Sequence, residues 1–205
     1  SFEWDIDDSD FNIWKIRLNP EDFKGYNPFG LDNMIHDRGW LDLTRENRVG
    51  FLNRRGVVFI DGKPLKQIER YEFMAEEAGT YFVEANGMVV HFRPFDDANP
   101  HGHFIELTAR EQNFAPSTPY LGYIRVKGFN FTHSATGHPT PQRGAISAYR
   151  GDHWIIEDNV IEWSNCLGID VGIESGWATR KNEFGPTGTI VRRNDIKSCG
   201  VCGLV

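Results

Sequence analysis

The sequence predicts an all-β protein, in which an antiparallel β-sandwich-like region at residues 1–118 precedes the first coils of a right-handed parallel β-helix at residues 119–205. Two observations carry this prediction. A phrase near the C-terminal end occurs twice, at an offset of 194 − 159 = 35 residues. The earlier part of the chain instead contains short alternating strands that are separated by Asp-Gly and Asn-Gly pairs.

The repeated phrase indicates stacked units. Residues 154–161, with the sequence WIIEDNVI, return at residues 189–196 as TIVRRNDI, and a weaker copy begins at Tyr123. The register continues, because residues 166–169 match residues 201–204. A repeat of this length is typical of units that share one core. Each unit consists of short β-branched runs around a turn residue and has no helical period.

The turns of the three copies are expected to stack. Their turn residues are Gly128, Asn159 and Asn194. Amides at equivalent turns of neighbouring coils hydrogen-bond along the axis, so we expect Asn159 to lie directly above or below Asn194. From Leu121 onward, the strands should be parallel, with residues 155–156 beside residues 190–191.

The first part of the chain has the pattern of antiparallel strands. Apolar and basic residues alternate over residues 14–18, which is the period of a half-buried strand. Two further runs lead to an Asp-Gly pair at residues 61–62 and an Asn-Gly pair at residues 86–87, and such pairs supply the positive φ angles of two-residue hairpin turns. A short helix is expected at residues 71–78. Several short strands with regular turns favour a sandwich.

Composition and charge argue against several classes of partner. The chain has 205 residues, a formal net charge of −7 and no cluster of Lys and Arg, so binding to nucleic acid by phosphate neutralisation is not expected. No apolar run is long enough to span a membrane. Three cysteines, an odd number, argue against a disulfide framework. We expect no cofactor, and the compartment stays open between a bacterial periplasmic or secreted location and the cytoplasm.

The chain ends within a strand of the last repeat. Val205 follows Gly203 and Leu204, and about two and a half coils precede it. An uncapped apolar edge promotes association. We therefore interpret the chain as a segment whose β-helix is completed by the same or an associated chain, with a homo-oligomer as an alternative. Expressed alone, it should be poorly soluble or oligomeric.

Two short motifs have the spacing of metal or redox sites, and in both we favour a structural interpretation. Cys199 and Cys202 lie in or beside a predicted strand, whereas reactive pairs of this spacing have their thiol pKa lowered at a helix N-terminus. His101 and His103 lack a nearby Cys, Asp or Glu that would complete a tetrahedral set. A polar loop before the strand at residues 104–107 is expected for them, and no metal site is predicted.

Asp170 and Glu174 are the carboxylates with the clearest relevance to catalysis. Sugar cleavage needs two carboxyl groups about 5–5.5 Å apart for retention, or about 6.5–9.5 Å apart for inversion. Four residues of extended chain span about 13 Å, so these two form no pair unless the chain turns sharply. Equivalent positions on neighbouring coils, about 4.8 Å apart, suit a retaining pair. The predicted register puts Val205 opposite Asp170, so the catalytic pair is expected beyond Val205.

A sugar-binding groove is predicted near these carboxylates. Trp177 offers an apolar face for a sugar ring, and His133, His138, Gln142 and Arg143 belong to a proline-stiffened loop between the first two coils. The predicted substrate-binding residues are His138, Gln142, Asp170, Glu174 and Trp177. Two alternatives stay open, namely that the polar residues are ordinary surface groups and that Trp177 is a structural plug.

Seven segments carry a likeness to a known family. In chain order they are residues 13–16 (IWKI), 25–29 (GYNPF), 61–65 (DGKPL), 123–129 (YIRVKGF), 154–159 (WIIEDN), 166–169 (CLGI) and 190–194 (IVRRN). Together they resemble glycoside hydrolase family 120, the β-xylosidase family, whose members carry a β-sandwich region inserted in a parallel β-helix. The most specific parts of this resemblance are the Tyr-Asn-Pro-Phe segment and the order in which the sandwich precedes the coils.

The resemblance implies a retaining glycosidase that acts on β-linked oligosaccharides by double displacement with two carboxylates. The nucleophilic Asp and acid/base Glu of the family sit on later coils, and no residue of this chain matches either motif, so no catalytic residue is assigned. Two alternatives stay open: a polysaccharide lyase or epimerase on the same fold, and a non-catalytic carbohydrate-binding β-helix. Fold alone does not separate them.

Overall fold

A computed structural model describes residues 3–30, 55–137, 143–171 and 188–205. In these residues the chain is all-β, with strands and short 3₁₀ helices as its regular elements. Residues 3–30 and 55–109 belong to one compact unit, and the described residues from 110 onward belong to a second. Within the described ranges, no helix is long and apolar enough to cross a membrane.

The first unit contains two sheets. Its eight strands, in chain order, are β1 (Trp4–Asp8), β2 (Ile13–Arg17), β3 (Val58–Ile60), β4 (Lys63–Pro64), β5 (Lys66–Gln67), β6 (Thr80–Val83), β7 (Val89–Arg93) and β8 (Ile105–Leu107). The larger sheet has the order β1-β2-β7-β6-β5, and the smaller has the order β4-β3-β8. Short 3₁₀ helices lie at Pro20–Phe23, Tyr71–Ala75, Phe95–Asp97 and Pro100–Gly102.

Both sheets of the first unit contribute to one hydrophobic core. Ile16 and Phe92 of the larger sheet are fully buried in the same cluster as Val58 of the smaller sheet. The predicted sandwich-like region is confirmed. One pairing differs from the antiparallel expectation, because β5 pairs with β6 in parallel. The chain between them makes the 3₁₀ helix Tyr71–Ala75, and a crossover of this kind, unlike a tight hairpin, returns the chain in the same direction.

The two predicted hairpin turns have different outcomes. Asp61 and Gly62 have φ angles of 51° and 74° and connect Ile60 directly to its cross-strand partner Lys63, as predicted. At the second turn, the amide of Glu84 donates to the carbonyl of Val89, which leaves four residues between them. Gly87 alone has a positive φ there, at 70°. The prediction of a two-residue turn was wrong at this site, because the pairing ends before the Asn-Gly pair.

The second unit consists of three parallel three-stranded sheets. Its strands are β9 (Arg125–Lys127), β10 (Asn130–Thr132), β11 (Ile146–Ser147), β12 (Ile155–Glu157), β13 (Val160–Glu162), β14 (Leu167–Asp170), β15 (Ile190–Arg192), β16 (Asp195–Lys197) and β17 (Cys202–Leu204). The sheets are β9-β12-β15, β10-β13-β16 and β11-β14-β17. Each run of three consecutive strands is therefore one coil, and the predicted parallel β-helix is confirmed.

The register between the coils follows the sequence repeat. Ile155 pairs with Ile190 and Ile156 with Val191, as predicted. Ile156 also pairs with Val126 of the first coil, and both side chains are buried in the coil interior. The larger buried side chain Trp154 packs in the same cluster, and its Nε1 donates a 2.7 Å hydrogen bond to the carbonyl of Leu121.

The turn amides form the predicted ladder, with one correction to the alignment. Asn159 Nδ2 donates to Asn194 Oδ1 at 2.9 Å, so the two side chains are stacked. In the first copy, however, Gly128 is equivalent to Asp158, not to Asn159. Gly128 and Asp158 both have positive φ angles, as does Arg193 of the third copy. The left-handed residue therefore precedes the asparagine position in each coil, and the first copy has no asparagine there.

The cysteine and histidine motifs have structural surroundings. Cys199 and Cys202 are half-buried, and Cys202 lies in β17 opposite Leu167. The ring of His101 packs edge-on against Trp14, with ring centres 5.2 Å apart. His103 Nδ1 lies 2.6 Å from a carboxylate oxygen of Asp61. Both histidines lie in the loop before β8, as predicted.

Candidate functional site

Of the five predicted substrate-binding residues, Asp170 is the one that the structure describes. It is the last residue of β14, a strand in which all four residues are buried, and its own exposure is 1%. Its Oδ2 accepts a 2.8 Å hydrogen bond from the amide of Gly144. Its carbonyl accepts the amide of Ala148 at 3.0 Å. The carboxylate therefore fixes the backbone that leads into β11.

The predicted neighbour of Asp170 across the coils is also confirmed. Asp170 pairs with Ser147 on one side. On the other side, Val205 exchanges backbone hydrogen bonds with Ile169 and Val171, which places it opposite Asp170. The two coil positions next to Asp170 thus carry a serine and a valine, and neither supplies a second carboxylate.

The other four predicted residues, His138, Gln142, Glu174 and Trp177, lie outside the described residues. Two described residues next to these segments are bonded to each other. The bond between Gly144 and Asp170 joins the residues that follow the first segment to those that precede the second. An added Cβ at Gly144 would lie 2.6 Å from the amide nitrogen of Asp170, so this contact requires glycine.

Several polar side chains lie beside the hydrogen bond between Gly144 and Asp170. Arg143 Nη1 lies 3.4 Å from Glu111 Oε2, and its guanidinium lies 5.7 Å from the ring centre of Tyr149. Gln112 Nε2 donates to the carbonyl of Gly144 at 3.1 Å. Guanidinium, carboxylate and amide groups next to an aromatic ring provide the donors and acceptors that sugar hydroxyls need. Of these residues, the sequence had indicated Arg143.

A buried hydroxyl network anchors the chain just before residue 138. Thr136 Oγ1 accepts the amides of Cys166 and Leu167 at 2.9 and 3.0 Å, and it lies 2.8 Å from the hydroxyl of Ser164. Ser134 Oγ donates to the same Ser164 hydroxyl at 2.9 Å. All of these polar groups are buried. The residues that lead into the predicted loop are therefore held to the second coil by satisfied interior hydrogen bonds.

Sequence reasoning missed a charge cluster on the outer face of the β9-β12-β15 sheet. The side chain of Glu157 is fully covered and accepts hydrogen bonds from Arg125, Arg192 and Arg193. Beside it, Asp158 accepts two bonds from Arg193, at 2.6 and 2.9 Å. The hydrogen bond from Arg125 and then that from Arg192 lower the pKa of Glu157 to about 2. The bond from Arg193 chiefly lowers the pKa of Asp158 to about 2.

This cluster joins the coils and is unsuited to proton transfer. A general acid must carry a proton near the working pH, and a carboxyl group with a pKa of about 2 is ionised at neutral pH. Its partners come from the first and third coils, since Arg125 lies on β9 and Arg192 on β15. The signal in the sequence was the alignment of Lys127, Glu157 and Arg192 at one strand position, with charges that alternate in sign.

The described ranges contain no group of three or more His, Cys, Asp or Glu side chains that could hold a metal ion.

The comparisons with known proteins concern the fold. The chain is similar to a solved structure of XylC in complex with xylose, with a TM-score of 0.65 and 23% sequence identity over 85% of this chain. The match covers 30% of the XylC chain, so the present chain spans less than a third of that protein. No family model matches the sequence, and no curated protein matches it. At this identity the likeness shows a shared fold.

Proposed function

We propose that this chain is part of a carbohydrate-active enzyme, a β-xylosidase-like retaining glycoside hydrolase that acts on β-linked oligosaccharides. The observation that carries the proposal is the fold match to XylC, a protein solved with xylose, over 85% of this chain. The resemblance of seven sequence segments to glycoside hydrolase family 120 points the same way. A shared fold does not determine which reaction a protein catalyses, so the proposed activity must be tested through the residues of the active site.

The proposed reaction uses two carboxyl groups in turn. One attacks the sugar and forms a covalent intermediate, while the other first protonates the leaving group and then activates water. A retaining pair needs a separation of about 5–5.5 Å, which equivalent positions on adjacent coils provide. Beside Asp170 those positions are Ser147 and Val205. We therefore propose that the catalytic pair lies on further coils of the β-helix.

The residues of this chain would supply the substrate-binding part of the groove. Trp177 would stack on a sugar ring, and His138, Gln142 and Glu174 would bind its hydroxyl groups. Asp170 would position the groove, because it holds the backbone at Gly144, two residues after Gln142.

Completion of the β-helix is part of the same proposal. The outer edge of the third coil exposes 44% of Ile190, 44% of Leu204 and 40% of Val205. Exposed strand edges pair with further chain when it is present. We propose that further coils, from the same or an associated chain or from a second copy, cover this edge.

Hydrolysis of xylobiose by the natural protein that contains this chain tests the reaction. Proton NMR should show the β-anomer of xylose first, because double displacement retains configuration. Initial release of the α-anomer would contradict retention, and no cleavage of any β-linked oligosaccharide would contradict the hydrolase assignment. Formation of an unsaturated uronate from an acidic polysaccharide would instead favour a lyase.

A single substitution tests the groove. Trp177→Ala should weaken binding of xylo-oligosaccharides by about 1–3 kcal/mol, the value of the stacking area removed, while the thermal midpoint stays near that of the parent protein. Phe129→Ala, at an aromatic side chain that is 54% exposed on the first coil, is the matched control and should leave binding unchanged. A loss of thermal stability without a loss of affinity would identify Trp177 as a structural plug.

A further inference from the structure

The first unit contains a cavity that the proposed function does not use. Its volume is about 350 Å³. It lies between the β3–β4 turn, the segment that follows β7 and the loop that precedes β8. This volume is at the lower end of the roughly 300–1,000 Å³ range of small-molecule sites, which suits a ligand of one ring.

One wall of the cavity is held by Asp61. Its Oδ1 accepts the amide of Phe104 at 2.9 Å, and its Oδ2 lies 2.6 Å from His103 Nδ1. The Asp61 amide also donates to the carbonyl of Phe104 at 2.8 Å. These bonds tie the hairpin turn to the loop, and they fix the imidazole ring of His103. With Nδ1 engaged by Asp61, Nε2 is the ring atom through which His103 can bind a ligand.

The opposite wall contains two consecutive residues in the left-handed region. Asp96 and Asp97 both have φ angles of 54°. Arg93 binds the Asp97 carboxylate with two hydrogen bonds of 2.6 and 2.9 Å, and Asn12 Nδ2 donates to the Asp97 carbonyl at 2.6 Å. These bonds hold Asp97 in place, and its neighbour Asp96 lines the cavity.

The apolar part of the cavity is Phe95 with its neighbours Ile60 and Pro94. The ring of Phe95 packs against Gly79, where an added Cβ would lie 2.5 Å from ring atoms. The ammonium group of Lys63 lies 4.5 Å from the ring centre. This contact with the ring holds Lys63 beside the cavity. Among the described residues, no carboxylate forms an ion pair with it.

The polar groups at the cavity include donors and acceptors. Lys63 donates and the Asp96 carboxylate accepts, and Nε2 of a neutral His103 also accepts, because the ring proton is on Nδ1, which donates to Asp61. With a neutral imidazole, the charges of Asp61, Asp96 and Lys63 sum to −2 + 1 = −1. This sum does not favour an anion. A metal ion is also not favoured, because no metal-binding group of three or more side chains occurs in the described ranges.

From this geometry we infer that the cavity of the first unit binds one neutral pyranose ring, with its apolar face against Ile60 and Pro94 and its hydroxyls on Lys63, Asp96 and His103. The Phe95 ring is already covered by the Lys63 ammonium and forms the wall behind it. A ring with alternating apolar face and polar edge matches a cavity with an apolar side and mixed donors and acceptors. The inference goes beyond the proposed function, because every residue that lines this cavity belongs to the first unit, outside the stacked coils.

The test is a titration of the natural protein that contains this chain with xylose, glucose and galactose, followed through the imidazole signals of His103 in histidine-labelled protein. His103→Ala assigns the signal. At least one neutral sugar should shift it in a saturable manner. Asp96→Gly removes the carboxylate and suits the left-handed backbone, and Lys63→Met removes the charge but keeps the chain over Phe95. Each variant should weaken binding about ten-fold, equivalent to about 1.4 kcal/mol.

Glu69→Ala, at an exposed carboxylate of the same unit outside the cavity, is the matched control and should bind like the parent chain. The inference is overturned if no neutral sugar shifts the His103 signal, if both cavity variants bind as tightly as the control, or if glucuronate binds more tightly than every neutral sugar. Hydrolysis is measured separately on the natural protein, so a failure here leaves the proposed reaction standing, and the reverse also holds.

Discussion

Replacement of Asn159 by alanine tests whether the turn ladder holds the coils together. The side chain of Asn159 makes three hydrogen bonds. Nδ2 donates to the carbonyl of Val126 at 3.1 Å and to Asn194 Oδ1 at 2.9 Å, and Oδ1 accepts the amide of Phe129 at 3.0 Å. Asn159 is 2% exposed, so water does not replace these partners in the folded state.

The expected loss follows from the count of bonds. An intramolecular hydrogen bond contributes about 1 kcal/mol net, so Asn159→Ala should lower the free energy of unfolding by about 3 kcal/mol. Asn194→Ala is the matched control, because Asn194 also takes part in three side-chain bonds, to Ile156 and to the amide and side chain of Asn159. Asn194 is only half-buried, so removal of its side chain opens that position to water, which can take its place, and about 1 kcal/mol should be lost.

Urea denaturation measures both losses, and hydrogen exchange locates them. The amide of Phe129 should exchange faster in Asn159→Ala, which removes its acceptor, and at the parent rate in Asn194→Ala. Two results would refute the reasoning: equal losses in the two variants, or a loss below about 1 kcal/mol for Asn159→Ala.

Three further predictions concern the coils. The pKa of Glu157 is depressed from 4.5 to about 2, so its stabilisation is present above pH 4.5 and is lost as the pH falls toward 2. The thermal midpoint of the parent chain should therefore fall more steeply over that range than the midpoint of Glu157→Gln, and parallel curves would count against the ion cluster. Gly144→Ala should lower the free energy of unfolding, measured in urea, by at least about 1 kcal/mol, because the added Cβ would collide with backbone atoms. Gly128→Asn should lower it by less than about 1 kcal/mol, because this position is in open space and asparagine tolerates a positive φ. Ile190→Lys should reduce self-association in sedimentation velocity if the exposed third coil pairs with a second copy, and an unchanged association constant would exclude that edge.

Periodic features of this fold were predictable from the sequence. The pairing of Ile155 with Ile190 and the stack of Asn159 on Asn194 follow from one alignment, because parallel coils place equivalent residues side by side. The same alignment misplaced Gly128 by one position, since the first copy carries no asparagine to mark the register.

Non-periodic features were not predictable from local patterns. The parallel pairing of β5 with β6 depends on a crossover, and the position of the second hairpin turn depends on where Glu84 and Val89 pair. The burial of Glu157 depends on arginines that lie 157 − 125 = 32 and 192 − 157 = 35 residues away. The cavity of the first unit joins segments that local sequence does not connect. Of the predicted sugar-binding residues, the structure describes Asp170, and the roles of His138, Gln142, Glu174 and Trp177 stay predictions.

The two units differ in how far apart their strand partners lie along the chain, and this difference governs the order in which they can form during synthesis. In the first unit, Ile16 pairs with Val90, which is separated from it by 90 − 16 = 74 residues. Its larger sheet therefore cannot close until β7 has left the ribosome. In the second unit, paired strands are only 23 to 35 residues apart, from Ile169 with Ile146 (169 − 146 = 23) to Ile190 with Ile155 (190 − 155 = 35). Coils can then be added one at a time, each on a template that is already complete, as in other repeat proteins. The slow step of folding, the closure of the long loop that brings Ile16 to Val90, should thus belong to the sandwich-like unit.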